Sequence, residues 1–126
     1  MKRILFVDDD LKLLAGLRAV FRRDRGRWET VFVGSGEEAL AELGRGHFDL
    51  VVSDHRMPNM DGLELLERVR ELSPTTVRMM LSGTIDRPPE ELERVVERVI
   101  NKPCATAVLR EALERMLETR SLAAVP

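Results

Sequence analysis

Residues 49–62, the stretch that decides the fold, read DLVVSDHRMPNMDG. The first half is a short apolar run, too brief for a helix and rich in β-branched residues, which predicts a buried strand that ends on the carboxylate of Asp54. A proline, an asparagine and a glycine then mark a loop, and apolar residues recur at helical spacing from Leu63 onward. The stretch is predicted to be a strand–loop–helix unit, and ligands of open α/β sheets bind at that junction.

The same alternation recurs on both sides of this unit. Further strands are predicted at 3–7, 28–33, 76–81 and 99–102, and helices follow at 11–21, 36–43, 88–96 and from Thr106 to about Leu117. Asp10 can cap the first helix, and Ser35 with Glu38 has the spacing of a capping box. Five strands that alternate with helices imply one α/β domain with a mostly parallel sheet and helices on both faces.

Composition excludes several classes of protein. The 126 residues suffice for one domain with a full core, and the single cysteine, Cys104, excludes an internal disulfide and a Cys-based zinc site. The net charge is −2, with Lys and Arg interleaved with Glu, which disfavours nucleic-acid binding by a basic face. The sequence shows neither a membrane-spanning run nor a signal peptide, so the expected location is the cytoplasm.

Parallel strands deliver the residues at their carboxyl ends to one edge of the sheet. We therefore expect a shared site there, formed by five residues from four strands: Asp8, Asp9, Asp54, Ser82 and Lys102. Clustered carboxylates stay ionised together only if a cation offsets their charge, and a few hard oxygen ligands favour Mg²⁺. A carboxylate nucleophile, Mg²⁺, a hydroxyl and a lysine are the parts needed to place a phosphoryl group on Asp54.

Four segments carry a family resemblance. The motifs ILFVDDD at 4–10, DLVVSDHRMPNMDG at 49–62, LSG at 81–83 and KP at 102–103 resemble the receiver domain of bacterial two-component response regulators, with matching spacing over about residues 3 to 118. The most specific motif runs from Ser53 to Gly62. The resemblance implies a flavodoxin-like doubly wound sheet of order 2-1-3-4-5 with five helices, in a receiver domain over residues 1–120 followed by a tail at 121–126.

The resemblance also implies a role for each matching residue. Asp54 is the phosphoacceptor, and Asp8 and Asp9 are the acidic pair that positions Mg²⁺. Arg56 contributes a backbone carbonyl to the metal. Ser82 is the switch hydroxyl and Lys102 contacts the phosphoryl group, with a cis peptide expected at Lys102-Pro103. The implied protein is a signalling phosphoacceptor rather than an enzyme, although it assists its own phosphorylation and dephosphorylation.

Two departures from the family pattern bear on how the signal leaves the domain. Val99 occupies the position where the family often carries an aromatic switch residue, and the chain has no tyrosine. No glycine or turn signal separates Val95-Val96 from Val99-Ile100, so the fourth helix is expected to be shortened. We therefore expect the output to use a nonstandard surface or a different helix.

The implied partners are a sensor histidine kinase or histidine phosphotransfer protein on the input side, and an effector protein or domain on the output side. We expect this domain neither to bind a membrane nor to bind nucleic acid directly. Two alternatives stay open. One is a degenerate receiver that binds partners without phosphorylation. The other is a Mg²⁺-dependent phosphatase of the haloacid-dehalogenase type, although such enzymes place a second acid two residues after the nucleophile, where this chain has Arg56.

Several other residues have simpler interpretations. His55, beside the proposed nucleophile, is expected to be exposed on its loop and to modulate access only. Cys104 is expected to be a small packing residue. The adjacent methionines Met79 and Met80 are expected in the core.

Overall fold

Strands and helices alternate along the described chain, as the sequence predicts. A computed structural model describes residues 1–83 and 89–123. The strands are β1 (Lys2–Val7), β2 (Trp28–Val33), β3 (Leu50–Ser53), β4 (Val77–Ser82) and β5 (Arg98–Asn101). The helices are α1 (Leu11–Phe21), α2 (Gly36–Arg45), α3 (Gly62–Leu72), α4 (Pro89–Val95) and α5 (Thr106–Ala123), and a short 3-10 turn spans Arg22–Asp24.

The five strands form one parallel sheet of order β2-β1-β3-β4-β5. This is the doubly wound, flavodoxin-like order, so the predicted fold class is confirmed. In the register of the sheet, Val7 of β1 lies beside Ser53 of β3, and Ser82 of β4 lies beside Asn101 of β5. The residues that follow these strands therefore meet at one edge, which we call the carboxyl edge.

The two faces of the sheet carry separate apolar cores because successive strand side chains point to opposite faces. In β1, Ile4 and Phe6 belong to the core that α1 and α5 cover, whereas Leu5 and Val7 belong to the core under α2, α3 and α4. Met79 and Met80 divide in the same way, and both are fully buried, which confirms their core assignment. Burial on both faces makes the strands a rigid platform for the carboxyl edge.

Helix starts follow the predicted capping chemistry. The Asp10 carboxylate accepts hydrogen bonds from the backbone N–H groups of Lys12 and Leu13 at 3.0 and 3.2 Å. The Ser35 hydroxyl accepts the N–H of Glu38 at 3.1 Å, and the Glu38 carboxylate accepts the N–H of Gly34 at 2.9 Å. Both predicted caps are therefore present.

The ends of the fourth and fifth helices can be compared with their predicted bounds. Helix α4 is described over Pro89–Val95, and its predicted start at Pro88 lies outside the described residues, so the predicted shortening stays a prediction. Helix α5 runs to Ala123, beyond the predicted end near Leu117. Leu117 is buried, so the helix still packs on the core at that point. No glycine follows it that would end the helix. The predicted domain boundary at residue 120 stays a prediction.

Candidate functional site

Three carboxylates lie together at the carboxyl edge. Asp8 follows β1 and Asp54 follows β3, and the N–H of Asp54 donates to the carbonyl of Val7 at 2.9 Å, so the paired strands place the two acids side by side. Asp8 is 4% and Asp54 is 9% exposed, whereas Asp9 is exposed. One ligand oxygen from each of the three lies within 4.8 Å of the others. The sequence-predicted acidic group is therefore assembled in the fold.

Lys102 connects the two buried carboxylates. Its Nζ lies 2.8 Å from Oδ2 of Asp8 and 3.4 Å from Oδ1 of Asp54. The lysine arrives at the end of β5, where its N–H donates to the carbonyl of Ser82 at 3.1 Å. The peptide bond between Lys102 and Pro103 is cis, as the family resemblance implied. The ammonium group thus occupies the space between Asp8 and the proposed nucleophile.

The electrostatics of the site favour an additional positive charge. Burial raises the pKa of the Asp8 carboxyl above its ordinary value of 3.8, the Asp54 charge adds to the increase, and bonds from Lys102 and the Asp10 N–H offset it in part. Burial alone would lower the pKa of Lys102, but Asp8 and Asp54 outweigh it and the pKa is raised. The pKa of Asp8 is therefore raised mainly by burial, and that of Lys102 by its two carboxylate neighbours. A bound cation would offset the negative charge of these carboxylates.

Ser82 supplies the hydroxyl predicted for this edge. It is the last residue of β4 and is 2% exposed. Its backbone is joined to that of Lys102, so the residue is fixed relative to the lysine. The structure therefore brings Ser82 to the same edge as Asp8, Asp54 and Lys102.

The loop after Asp54 turns back sharply on itself, which only glycine at position 62 permits. The N–H of Gly62 donates to the carbonyl of His55 at 2.7 Å, and a Cβ added to Gly62 would lie 2.0 Å from the Asp54 carbonyl oxygen. Asn59 at the loop tip has a φ of 70°, in the left-handed region that asparagine tolerates. Asp61 then caps α3 by accepting the N–H of Glu64 at 2.9 Å. The loop is fixed at both ends.

The expectation that His55 is exposed is wrong. The residue is only 2% exposed, because the returning loop places Gly62 directly over it. Arg56, in contrast, is exposed. Its predicted role as a carbonyl ligand stays a prediction.

Val99 occupies the position where the family often has an aromatic residue. It is partly buried and packs against the core under α2, α3 and α4, next in register to Met80. A branched aliphatic side chain in that place fills core volume and has no polar tip that could alternate between an inward and an outward partner. The valine that replaces the usual aromatic residue is therefore part of the packing on that face of the sheet.

Two arginines that the sequence analysis did not single out bind the end of α4. Arg70 of α3 donates to the carbonyl of Arg94 at 2.6 Å, and Arg78 of β4 donates to the carbonyl of Val95 at 2.7 Å. Arg78 also donates to the carbonyl of Thr76 at 2.9 Å and is 8% exposed. A cation inside an otherwise apolar strand was the available signal. We call Arg70 and Arg78 the α4 clamp.

Among the helices of the described residues, none has both the length and the apolar character that crossing a membrane requires.

Comparisons with known proteins agree with this geometry. The family model for the response regulator receiver domain matches residues 4–114. The chain is 37% identical over 126 residues to the transcriptional activator protein PfeR of Pseudomonas aeruginosa, covering 98% of this chain and 40% of PfeR. It is 32% identical over 123 residues to the chemotaxis protein CheY-3 of Vibrio cholerae, covering 92% of each.

A solved structure resembles the whole fold. The response regulator protein TrrA of Thermotoga maritima, determined in complex with Mg²⁺–BeF, is 26% identical and has a TM-score of 0.81, covering 92% of this chain and 99% of TrrA. Thus this chain matches TrrA and CheY-3 over nearly their full lengths but spans less than half the length of PfeR.

Proposed function

Because the chain belongs to the response regulator receiver domain family, we propose that it accepts a phosphoryl group on Asp54 from a sensor histidine kinase or a histidine phosphotransfer protein. The observation that carries this proposal is the contact of Lys102 with Asp54 beside two further carboxylates. A lone surface aspartate has no such surroundings. The arrangement supplies a nucleophile together with the charges that phosphoryl transfer requires.

In the proposed reaction, a carboxylate oxygen of Asp54 forms a bond to phosphorus while the bond from phosphorus to the donor's imidazole nitrogen breaks. The electron pair of that bond remains on the nitrogen. Lys102, already 3.4 Å from Oδ1 of Asp54, is placed to donate to an oxygen of the transferred group. The Ser82 hydroxyl is proposed to donate to a second phosphoryl oxygen.

The donor set at this edge fits Mg²⁺. Asp8, Asp9 and Asp54 present carboxylate oxygens within 4.8 Å of one another, and hard oxygen ligands are those that Mg²⁺ prefers. We propose that these three residues and the backbone carbonyl of Arg56 hold the ion. When bound, Mg²⁺ neutralises the negative charge that builds up between the carboxylates and the phosphoryl oxygens. The complex of TrrA with Mg²⁺–BeF supports this assignment.

Phosphorylation is proposed to change an output surface that an effector protein or domain reads. The domain, residues 1–120, would act in the cytoplasm as a signalling phosphoacceptor that assists its own phosphorylation and dephosphorylation, without binding a membrane or contacting nucleic acid directly. Because no glycine or turn signal separates α4 from β5 and Val99 is aliphatic, the output is proposed to involve a surface other than a full-length fourth helix.

The test is intact-mass measurement after incubation with acetyl phosphate, with and without Mg²⁺, on the wild type and on Asp54→Asn. We expect a gain of one phosphoryl group that requires Mg²⁺ and is absent from the variant, because asparagine lacks the nucleophilic carboxylate. Circular dichroism of both proteins establishes that they are folded.

A folded wild type that gains no mass would contradict the proposal and favour a receiver that binds partners without phosphorylation. Repeated turnover of small phosphate esters would instead favour the phosphatase alternative.

A further inference from the structure

Arginines are concentrated in one short segment, contrary to the even interleaving expected from the whole sequence. Residues 18–27 contain five arginines and one acid, in a chain whose net charge is −2. All five are exposed, and Arg27 pairs with Asp24 and Glu114. We call the other four, Arg18, Arg22, Arg23 and Arg25, the arginine face. A formally acidic protein therefore carries one strongly positive surface.

The arginine face lies at the end of the molecule opposite the phosphorylation site. It covers the end of α1 and the 3-10 turn, directly before Trp28, which begins β2 and pairs with Lys2 at the start of β1. The starts of parallel strands form the amino edge of the sheet, whereas Asp54 lies at the carboxyl edge. A partner on the arginine face would leave Asp54 accessible.

The acids nearest to this segment are bonded to other arginines. Asp24 is 6% exposed and accepts from Arg110 of α5 at 3.2 Å, and Glu114 accepts from Arg27 at 3.3 Å. Glu29 pairs with Arg3. Over residues 1–83 and 89–123, no carboxylate forms an ion pair with a member of the arginine face.

The four arginines lie on the last turn of α1, in the 3-10 turn that follows it and directly after that turn. Arg18 and Arg22 are one helical turn apart, and the N–H of Arg25 donates to the carbonyl of Arg22 at 3.3 Å, which folds the turn back onto the helix end. Like charges at this spacing repel one another, so the cluster costs stability unless anions cover it. Guanidinium groups bind carboxylates in a planar, bidentate manner.

We propose that the arginine face binds a short acidic segment of a partner protein. The remainder of the domain favours a short polypeptide over nucleic acid, because a duplex carries about one charge per 1.7 Å and extends well beyond the patch. The parts of a duplex that extend beyond the arginine face would be repelled by a domain whose net charge is −2. The pI of about 5.8 is also far below that of typical nucleic-acid-binding domains.

The test is fluorescence anisotropy with a labelled hexaglutamate peptide, at low and at physiological salt. We expect binding that weakens with salt, and roughly a tenfold loss of affinity in Arg23→Glu and in Arg25→Glu, because each replaces an attraction with a repulsion. Arg68→Glu, which makes the same charge change at an exposed position of α3, is the matched control and should leave the affinity unchanged. Thermal melting establishes that each variant is folded.

Peptide binding that is equal in the wild type and the two arginine-face variants would overturn the proposal. A short DNA duplex that binds more tightly than the peptide through the same arginines would overturn it in favour of a nucleic-acid surface. The assay on Asp54→Asn should match the wild type, so the outcome does not depend on phosphorylation.

Discussion

Asp8 combines deep burial with a negative charge. Burial raises the pKa of its carboxyl, which means that the ionised form is destabilised relative to the unfolded chain. In metal-free protein we expect Asp8→Asn to raise the melting temperature by a few degrees at neutral pH, since the amide keeps an acceptor for the Asp10 N–H without the buried charge. Calorimetry in the presence of a chelator measures the difference.

The increase in melting temperature caused by Asp8→Asn should depend on pH. The folded-state pKa lies above the ordinary value of 3.8, so the wild type bears the full cost where the pH exceeds the folded-state pKa. The cost decreases as the pH falls through the folded-state pKa and disappears below 3.8, where both states are protonated. A difference in melting temperature that stays constant from neutral to acid pH would contradict this account.

Single residues of the site were predictable to the extent that strand ends determine them. Asp8, Asp54, Ser82 and Lys102 follow or end parallel strands, so the sequence pattern was sufficient to place them at one edge. The burial of His55 was not predictable, because it depends on how closely the backbone of Gly62 approaches Asp54. The local sequence pattern does not show how closely two backbone segments approach each other in the fold.

At the scale of elements, the α4 clamp bears on which parts of the molecule we expect to respond to the proposed phosphorylation. The carbonyls at the end of α4 are held by Arg70 from α3 and by Arg78 from β4. With Mg²⁺ and beryllofluoride as a phosphoryl mimic, we expect changes in hydrogen exchange at the end of β4 and in the segment from β5 into α5. Mass spectrometry of proteolytic fragments locates them.

The matched control for that experiment is Asp54→Asn under identical conditions, which should show no change. Exchange differences centred on α4 itself would mean that the clamp does not immobilise the helix end.

Elements were predicted well where apolar periodicity and capping residues agreed, as at Asp10 and Ser35. The end of α5 was missed because its last turns lie beyond the buried Leu117 and lack a stop signal. The α4 clamp was missed for a different reason: Arg70 and Arg78 hold the helix through backbone carbonyls, which have no sequence signature.

For the whole molecule, the accumulated negative charge at the carboxyl edge predicts coupling between metal binding and stability. A ligand that binds only the folded state stabilises it by about 2.7 kcal/mol at a concentration one hundred times its Kd. We therefore expect Mg²⁺ to raise the melting temperature of the wild type and a chelator to reverse the change. Asp8→Asn should show little response, because one of the three carboxylates is lost.

An equal Mg²⁺ response in the wild type and in Asp8→Asn would show that the ion stabilises the protein elsewhere.

The overall architecture was predictable, since five strand–helix alternations permit few sheet orders. The arginine face was not predictable, because it depends on which acids are already bonded to other arginines within the fold.

The α4 clamp also bears on how this domain can diverge. Both arginines bind main-chain oxygens, which every amino acid supplies whatever its side chain. The attachment of the helix end therefore does not depend on the side chains of α4. Substitutions among the exposed residues of α4 could accumulate over evolution, and new partners could be acquired there, without detaching the helix from the sheet.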